Sequence, residues 1–215
     1  MAAAPKIKFC GITLLEDAEL AVAADAWAMG LIFWPGSPRA CPPERAGEIA
    51  AAVKRRSEVV GVFVNQTIGE VAEIADGVGL TMLQLHGDEG PVFCAEAARR
   101  TGCKVIKAVR ARSGADIQAL SSFHTDYHLL DSHSPGQWGG TGETFSWELA
   151  GSHRGTVPMI LSGGLTAENV AAAIAATRPF AVDVASGVER SPGVKDPDKL
   201  RAFAQAVRST SPVAA

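Results

Sequence analysis

A C-x-x-C pair is missing from this sequence: its four cysteines, Cys10, Cys41, Cys94 and Cys103, are widely scattered, which argues against a zinc ribbon or a thioredoxin-like redox motif. No run of about 18 apolar residues is present to span a bilayer, and residues 1–5 are too short for the apolar region of a secretory signal. A reduced, cytoplasmic chain is therefore expected, with the sequon Asn65-Gln66-Thr67 read as the approach to a helix rather than as a glycan site. Basic surplus is also lacking. The formal net charge is -3, so nothing here attracts a polyphosphate backbone, and a nucleic-acid partner is not expected. Charged residues make up only 20% of the 215 while hydrophobic ones reach 47%, enough to bury a large core in one domain.

Short aliphatic runs alternate with alanine-rich stretches of helical period, a βαβα rhythm sustained along the chain. Strands are expected at 7–9, 31–33, 59–64, 82–85, 105–109, 127–130, 159–161 and 181–184, eight in all with none to spare. Thr13 with Glu16 fits a capping box, and Thr166, with Asn169 three residues on, is expected to open another helix. Trp27 and the alanines of 171–176 fit outer helices packed on a barrel. The fold class expected is α/β: a single-domain (β/α)₈ TIM barrel covering 1–215.

An open doubly wound sheet shares this rhythm, but its nucleotide site usually follows the first strand with G-x-G-x-x-G. Here that place holds Cys10-Gly11-Ile12-Thr13, and the glycines gather instead after the seventh and eighth strands, in Ser162-Gly163-Gly164-Leu165 and Ser186-Gly187-Val188-Glu189. Barrels hold phosphate on those two loops. Backbone N–H groups around Gly163, Gly164, Ser186 and Gly187 are expected to bind it, helped by the positive end of the helix opening at Thr166, and a valine at Gly164 is expected to spare stability provided that φ there is below zero. The longest irregular segment, 131–146, carries Gly136-Gln137-Trp138-Gly139-Gly140-Thr141-Gly142. It lacks a P-loop lysine and continues into Glu143, so it is read as a lid. His124 and His128 lack the glutamate of H-E-x-x-H, and no metal site is expected.

Taken in order, Lys8-Phe9-Cys10-Gly11-Ile12-Thr13, Ser37-Pro38-Arg39, Gln84-Leu85-His86-Gly87, Leu130-Asp131, Gly139-Gly140-Thr141-Gly142 with Phe145 and Trp147, the Ser162 loop, and Asp183-Val184-Ala185-Ser186-Gly187-Val188-Glu189 resemble the phosphoribosylanthranilate isomerase family. The resemblance implies an Amadori rearrangement of N-(5-phosphoribosyl)anthranilate to 1-(2-carboxyphenylamino)-1-deoxyribulose 5-phosphate in tryptophan biosynthesis, without a cofactor. Such chemistry needs an acid at the ribose ring oxygen and a base at the C2 proton.

By the same resemblance Cys10 is the base and Asp131 the acid, with partial burial under the lid expected to keep Asp131 protonated. Arg39 matches the grip on the anthranilate carboxylate, for which a guanidinium fork is well shaped. Gln84 and His86 are expected to touch substrate without transferring protons, and Asp183 to bond the ribose hydroxyls or brace the phosphate loop. As single residues, Cys10 and Asp131 read more plainly as a packing cysteine and a turn cap; the ordered set of motifs changes that. Cys41, Cys94 and Cys103 are read as packing residues. Two departures stand out: Glu143, where many relatives carry a basic or neutral residue, and Ala185, where serine is common. Two alternatives stay open. A histidine-pathway sugar isomerase, or an enzyme serving both pathways, resembles a pattern with aspartate at Cys10; a non-catalytic phosphosugar-binding barrel would lose the acid or the base.

Overall fold

The computed structural model describes residues 4–131, 145–153 and 155–210. Eight parallel strands close in chain order: β1 (Lys6–Cys10), β2 (Ala28–Ile32), β3 (Glu58–Phe63), β4 (Met82–Leu85), β5 (Lys104–Arg110), β6 (Tyr127–Asp131), β7 (Met159–Ser162) and β8 (Ala181–Val184), the last pairing back onto the first. Helices α1 (Leu15–Ala23), α2 (Pro43–Val53), α3 (Ile68–Val78), α4 (Pro91–Thr101), α5 (Gly114–Ala119), α6 (Phe145–Ala150), α7 (Val170–Thr177) and α8 (Pro197–Arg208) follow the strands in turn. The TIM barrel expected from the sequence is present.

Local chemistry explains the helix ends. Thr67 and Glu70 form a capping box at α3, and Gly79 closes that helix with φ 74°. Proline begins α2, α4 and α8, where its missing N–H costs nothing, and Asp196 caps α8 by accepting from Asp198 and Lys199 N–H.

Strand alternation builds two cores. Ala28, Val60, Met82, Ile106, Leu129, Ile160 and Ala181 are fully buried inside the barrel, while Phe9, Leu31, Phe63, Leu83 and Phe203 belong to the layer between strands and helices. Trp27 is on no helix but in the connection between α1 and β2. It lies at the barrel floor, edge-on to Tyr127 and Phe180 with ring centroids 5.3 Å apart in each pair, contrary to the outer-helix expectation. The alanines of 171–176 do lie on α7.

Four further expectations are corrected. The second strand begins at Ala28, three residues early, because Gly30 sits within it. Thr13 does not cap α1; its hydroxyl donates to the Gly193 carbonyl at 2.6 Å, and Leu14 precedes the helix without a side-chain cap. No helix opens at Thr166: α7 starts at Val170, and Thr166 N–H donates to Asn169 Oδ1 at 2.8 Å within a turn. The eight strands are also not all: β9 (Glu189–Ser191) and β10 (Val194–Lys195) form an antiparallel ribbon between β8 and α8.

Candidate active site

The inward face changes character toward the strands' C-terminal ends. Two residues past the apolar layer stand Gly30, Gln84, Asp131, Ser162 and Asp183, with Lys8 and Cys10 on β1. The parallel register sets Lys8 beside Asp183, Cys10 beside Gly30, and Asp131 beside both Ser162 and Arg110. Polar groups drawn from strands far apart in sequence thereby share one end of the barrel.

A cleft of about 330 Å³ opens there, lined by Arg39, Asp131, Asp183 and the two loops 162–165 and 184–187. It joins the expected acid, the expected carboxylate grip and both glycine loops. Cys10 lies beside it rather than in its wall, 6% exposed. Burial pushes the Cys10 thiol above its ordinary pKa, against the pull of Lys8. A Cβ on Gly30 would stand 2.6 Å from Cys10 Sγ and 3.2 Å from Lys8 Nζ, so the thiol and the ammonium flank one point that only glycine leaves open.

Lys8 has no solvent exposure and donates to Asp183 Oδ1 at 2.7 Å. Burial alone would lower its pKa, but Asp183 and Cys10 outweigh that and raise it, so the ammonium stays charged. Asp183 in turn accepts from Ser162 Oγ at 3.0 Å, which ties β8 to the start of the first glycine loop. Gln84 is 1% exposed, so its reach toward the cleft runs through His86: Gln84 Nε2 lies 3.1 Å from His86 Nδ1, and His86 Nε2 lies 3.7 Å from Asp131 Oδ2. Burial lowers the His86 pKa despite Asp131 and Asp183, and an Nδ1 that accepts from Gln84 leaves the ring proton on the nitrogen facing Asp131.

In the glycine loops, Gly163 and Gly164 have φ 102° and 62°, so the proviso under which a valine at Gly164 would spare stability is not met. Positive φ turns the backbone sharply after β7. A Cβ on Gly187 would collide with the Leu165 carbonyl oxygen, so the two loops press together only because that residue is glycine. Backbone N–H groups of Gly164, Ser186 and Gly187 have no acceptor among the described residues. No helix opens at Thr166 beside the first glycine loop; a short 3₁₀ turn, Ser186–Val188, lies within the second.

The stem of Arg39 crosses over Gly11, where a Cβ would meet Arg39 Cδ at 2.6 Å. Its guanidinium forks onto Glu189: Nε donates to Oε1 at 2.8 Å and Nη2 to Oε2 at 2.7 Å. Lys8, Glu189 and Lys195 received no role from sequence reasoning, although Lys8 and Glu189 lie inside the motifs. For Lys8 a signal existed: it stands two residues before Cys10 on one strand, hence on the same face. The expected lid, with Gly136 to Gly142 and Glu143, lies outside the described residues. Trp147 packs from α6 against the outer core.

Comparisons with known proteins agree with this geometry. Residues 7–206 match the family model for N-(5'phosphoribosyl)anthranilate (PRA) isomerase. The chain is 44% identical over 205 residues to N-(5'-phosphoribosyl)anthranilate isomerase of Pelobacter propionicus, covering 95% of this chain and 96% of that protein. It superposes on the phosphoribosyl anthranilate isomerase of Thermotoga maritima with a TM-score of 0.86 at 41% identity, covering 95% of this chain and 99% of that one. A second structure, at 37% identity and TM-score 0.82 over 95% and 99% of the chains, is a phosphoribosyl anthranilate isomerase in complex with reduced 1-(o-carboxyphenylamino)-1-deoxyribulose 5-phosphate. The chain belongs to the N-(5'-phosphoribosyl)anthranilate isomerase family, TIM-barrel isomerases of tryptophan biosynthesis.

Proposed function

We propose that the mouth of this barrel isomerises N-(5-phosphoribosyl)anthranilate by general acid-base catalysis, with Asp131 as acid and Cys10 as base. The carrying observation is the single cleft that Asp131, Arg39 and both glycine loops line, with Cys10 and its Lys8 partner beside it. A phosphate at Gly163, Gly164, Ser186 and Gly187 meets two loops that line the cleft, where the N–H groups of Gly164, Ser186 and Gly187 have no acceptor among the described residues, and the anthranilate carboxylate meets Arg39. A substrate held at both ends sets its ribose between Asp131 and Cys10.

Asp131 gives a proton to the ribose ring oxygen as the C1–O bond breaks and an iminium forms at the nitrogen. Cys10, as thiolate, then takes the proton from C2, and the electron pair of that C–H bond neutralises the iminium to an enolamine, which tautomerises to the ketone. The Lys8 ammonium stabilises the thiolate. Gln84 acts through His86, which steadies Asp131, and Asp183 braces β7 through Ser162.

The reading takes 1–215 as one isomerase domain, cytoplasmic, acting on a small phosphorylated molecule with no cofactor and no nucleic-acid partner. Its supports are the net charge of -3 and four cysteines free of disulfides. No helix among the described residues is long and apolar enough to cross a membrane. The cysteine at position 10 favours this reading over the histidine-pathway alternative, whose pattern carries aspartate there. The test is loss of anthranilate-type fluorescence from freshly made phosphoribosylanthranilate, in the presence of a chelator. Turnover is expected; a well-folded protein without turnover overturns the proposal.

A further inference from the structure

The ribbon β9–β10, which has no counterpart among the expected elements, holds two buried charges beneath Arg39. Glu189 is 7% exposed and accepts both donors of one side of the Arg39 guanidinium. Burial pushes the Glu189 carboxyl up, but the Arg39 fork and Lys195 outweigh it and hold it below the ordinary glutamate value. Lys195 is 1% exposed, and its Nζ donates to three oxygens: Glu189 Oε1 at 3.0 Å, the Cys10 carbonyl at 2.6 Å and the Ala185 carbonyl at 3.1 Å. One ammonium therefore joins the end of the strand that carries Cys10, the start of the second glycine loop and the carboxylate under Arg39. Asp17 anchors the ribbon from α1 by accepting from Lys195 N–H at 2.9 Å, and Lys199 of α8 donates to the Glu189 carbonyl at 2.9 Å.

The pairing of Glu189 also reaches beyond the ribbon, to a side chain that lines the cleft. With Nε and one Nη2 proton given to Glu189, the remaining polar edge of Arg39 is the one bearing Nη1, which has no partner among the described residues, on a side chain that lines the cleft. An unrestrained arginine samples many rotamers, and binding a carboxylate then costs the entropy of freezing them. A guanidinium already clamped on one side presents its other edge without that cost.

We propose that Glu189 and Lys195 are positioning residues for substrate recognition: Glu189 clamps Arg39 so that its Nη1 edge faces the substrate's carboxylate, and Lys195 fixes Glu189 relative to Cys10 and the phosphate loop. This inference rests on Arg39 being the carboxylate grip. It predicts that damage to the clamp weakens recognition at the anthranilate end and leaves the phosphate end intact.

The test measures kcat and KM, together with competitive inhibition by anthranilate and, separately, by inorganic phosphate, in Glu189→Gln, Glu189→Asp, Lys195→Met and Arg39→Ala. Loss of a charge-assisted clamp in Glu189→Gln should raise KM and the anthranilate inhibition constant by about tenfold, with kcat falling less than about threefold. The inhibition constant for phosphate should not move. Glu189→Asp, which keeps the charge, should recover part of the loss, and Lys195→Met, which also frees the Ala185 carbonyl at the second glycine loop, should add a rise in the phosphate constant to the rise in the anthranilate constant. If Arg39→Ala raises KM and the anthranilate constant while Glu189→Gln changes neither, the clamp is refuted and the Arg39 reading stands. If Arg39→Ala itself changes neither, both fall. Equal weakening of anthranilate and phosphate in a folded Glu189→Gln would mark a general structural role and also overturn the proposal; should that variant not fold, Glu189→Asp decides by the same split.

Discussion

Replacing Lys8 by methionine probes the buried pair on which the site rests. The ammonium has no solvent exposure, and its loss leaves the Asp183 carboxylate, 5% exposed, bonded to Ser162 Oγ alone among the described residues. Removing one partner of a buried ion pair typically costs about 3–5 kcal/mol, because the other charge is left uncompensated. Against the roughly 5–15 kcal/mol that stabilises a domain, such a loss should show plainly as an earlier urea midpoint. The double variant Lys8→Met, Asp183→Asn removes the stranded charge and should recover most of that stability. Activity should behave differently. Burial already raises the Cys10 pKa, and Lys8 opposes that more strongly than Asp183 adds to it, so losing both still moves the thiol up. A base works deprotonated, so the rising limb of the kcat/KM profile should shift to higher pH in both variants, and further in Lys8→Met, which keeps the opposing Asp183 charge. Urea melts and pH profiles of the three proteins decide the matter. A Lys8→Met protein as stable as the double variant, or a limb that stays in place, would refute the reasoning.

Arg39→Lys keeps a charge but loses the fork that meets Glu189, so KM should rise by more than kcat falls; an unchanged KM removes Arg39 from the site. Gly164→Val forces a β-branched residue to φ 62°, which should cost about 1–2 kcal/mol of stability and weaken both substrate and inorganic phosphate; a normal melt with normal inhibition would place the phosphate elsewhere. His128 Nδ1 lies 3.1 Å from His153 Nε2, and burial lowers both pKa values below the usual 6.5. Neutral histidine is favoured in the folded state, so their contribution is complete above the unfolded pKa and lost as pH falls below about 6.5. Thermal melts should therefore drop from pH 7 to pH 5, and less steeply in His128→Asn; identical slopes would contradict the assignment.

Most of the barrel was legible because parallel strands buried on both faces read as short apolar runs, and β4 and β8 fall where those runs do. The register offset at β2 has a physical source: Gly30 interrupts the apolar pattern at the place where Cys10 and Lys8 need room. Cys10, Asp131 and Asp183 were singled out by the ordered motifs rather than as single residues, and the structure brings all three to the C-terminal ends of β1, β6 and β8. The ribbon was not, since strands of three and two residues carry no period to detect. Thr13 and Thr166 both follow strands and look like caps, yet the Thr13 hydroxyl is claimed by Gly193 across the barrel mouth, and at Thr166 the chain makes a turn before α7 begins. A buried lysine is also rare enough that Lys8 and Lys195 would be assigned to solvent until their partners on β8 and β9 are seen.

The most direct test of the acid-base assignment is the turnover of Cys10→Ala and Asp131→Asn on phosphoribosylanthranilate, with binding of a reduced product analogue measured alongside. Each substitution should lower kcat by at least about 100-fold, as befits loss of a positioned acid or base, while the analogue still binds. Near-normal kcat in Cys10→Ala would mean that another group takes the C2 proton, and near-normal kcat in Asp131→Asn that another group opens the ring.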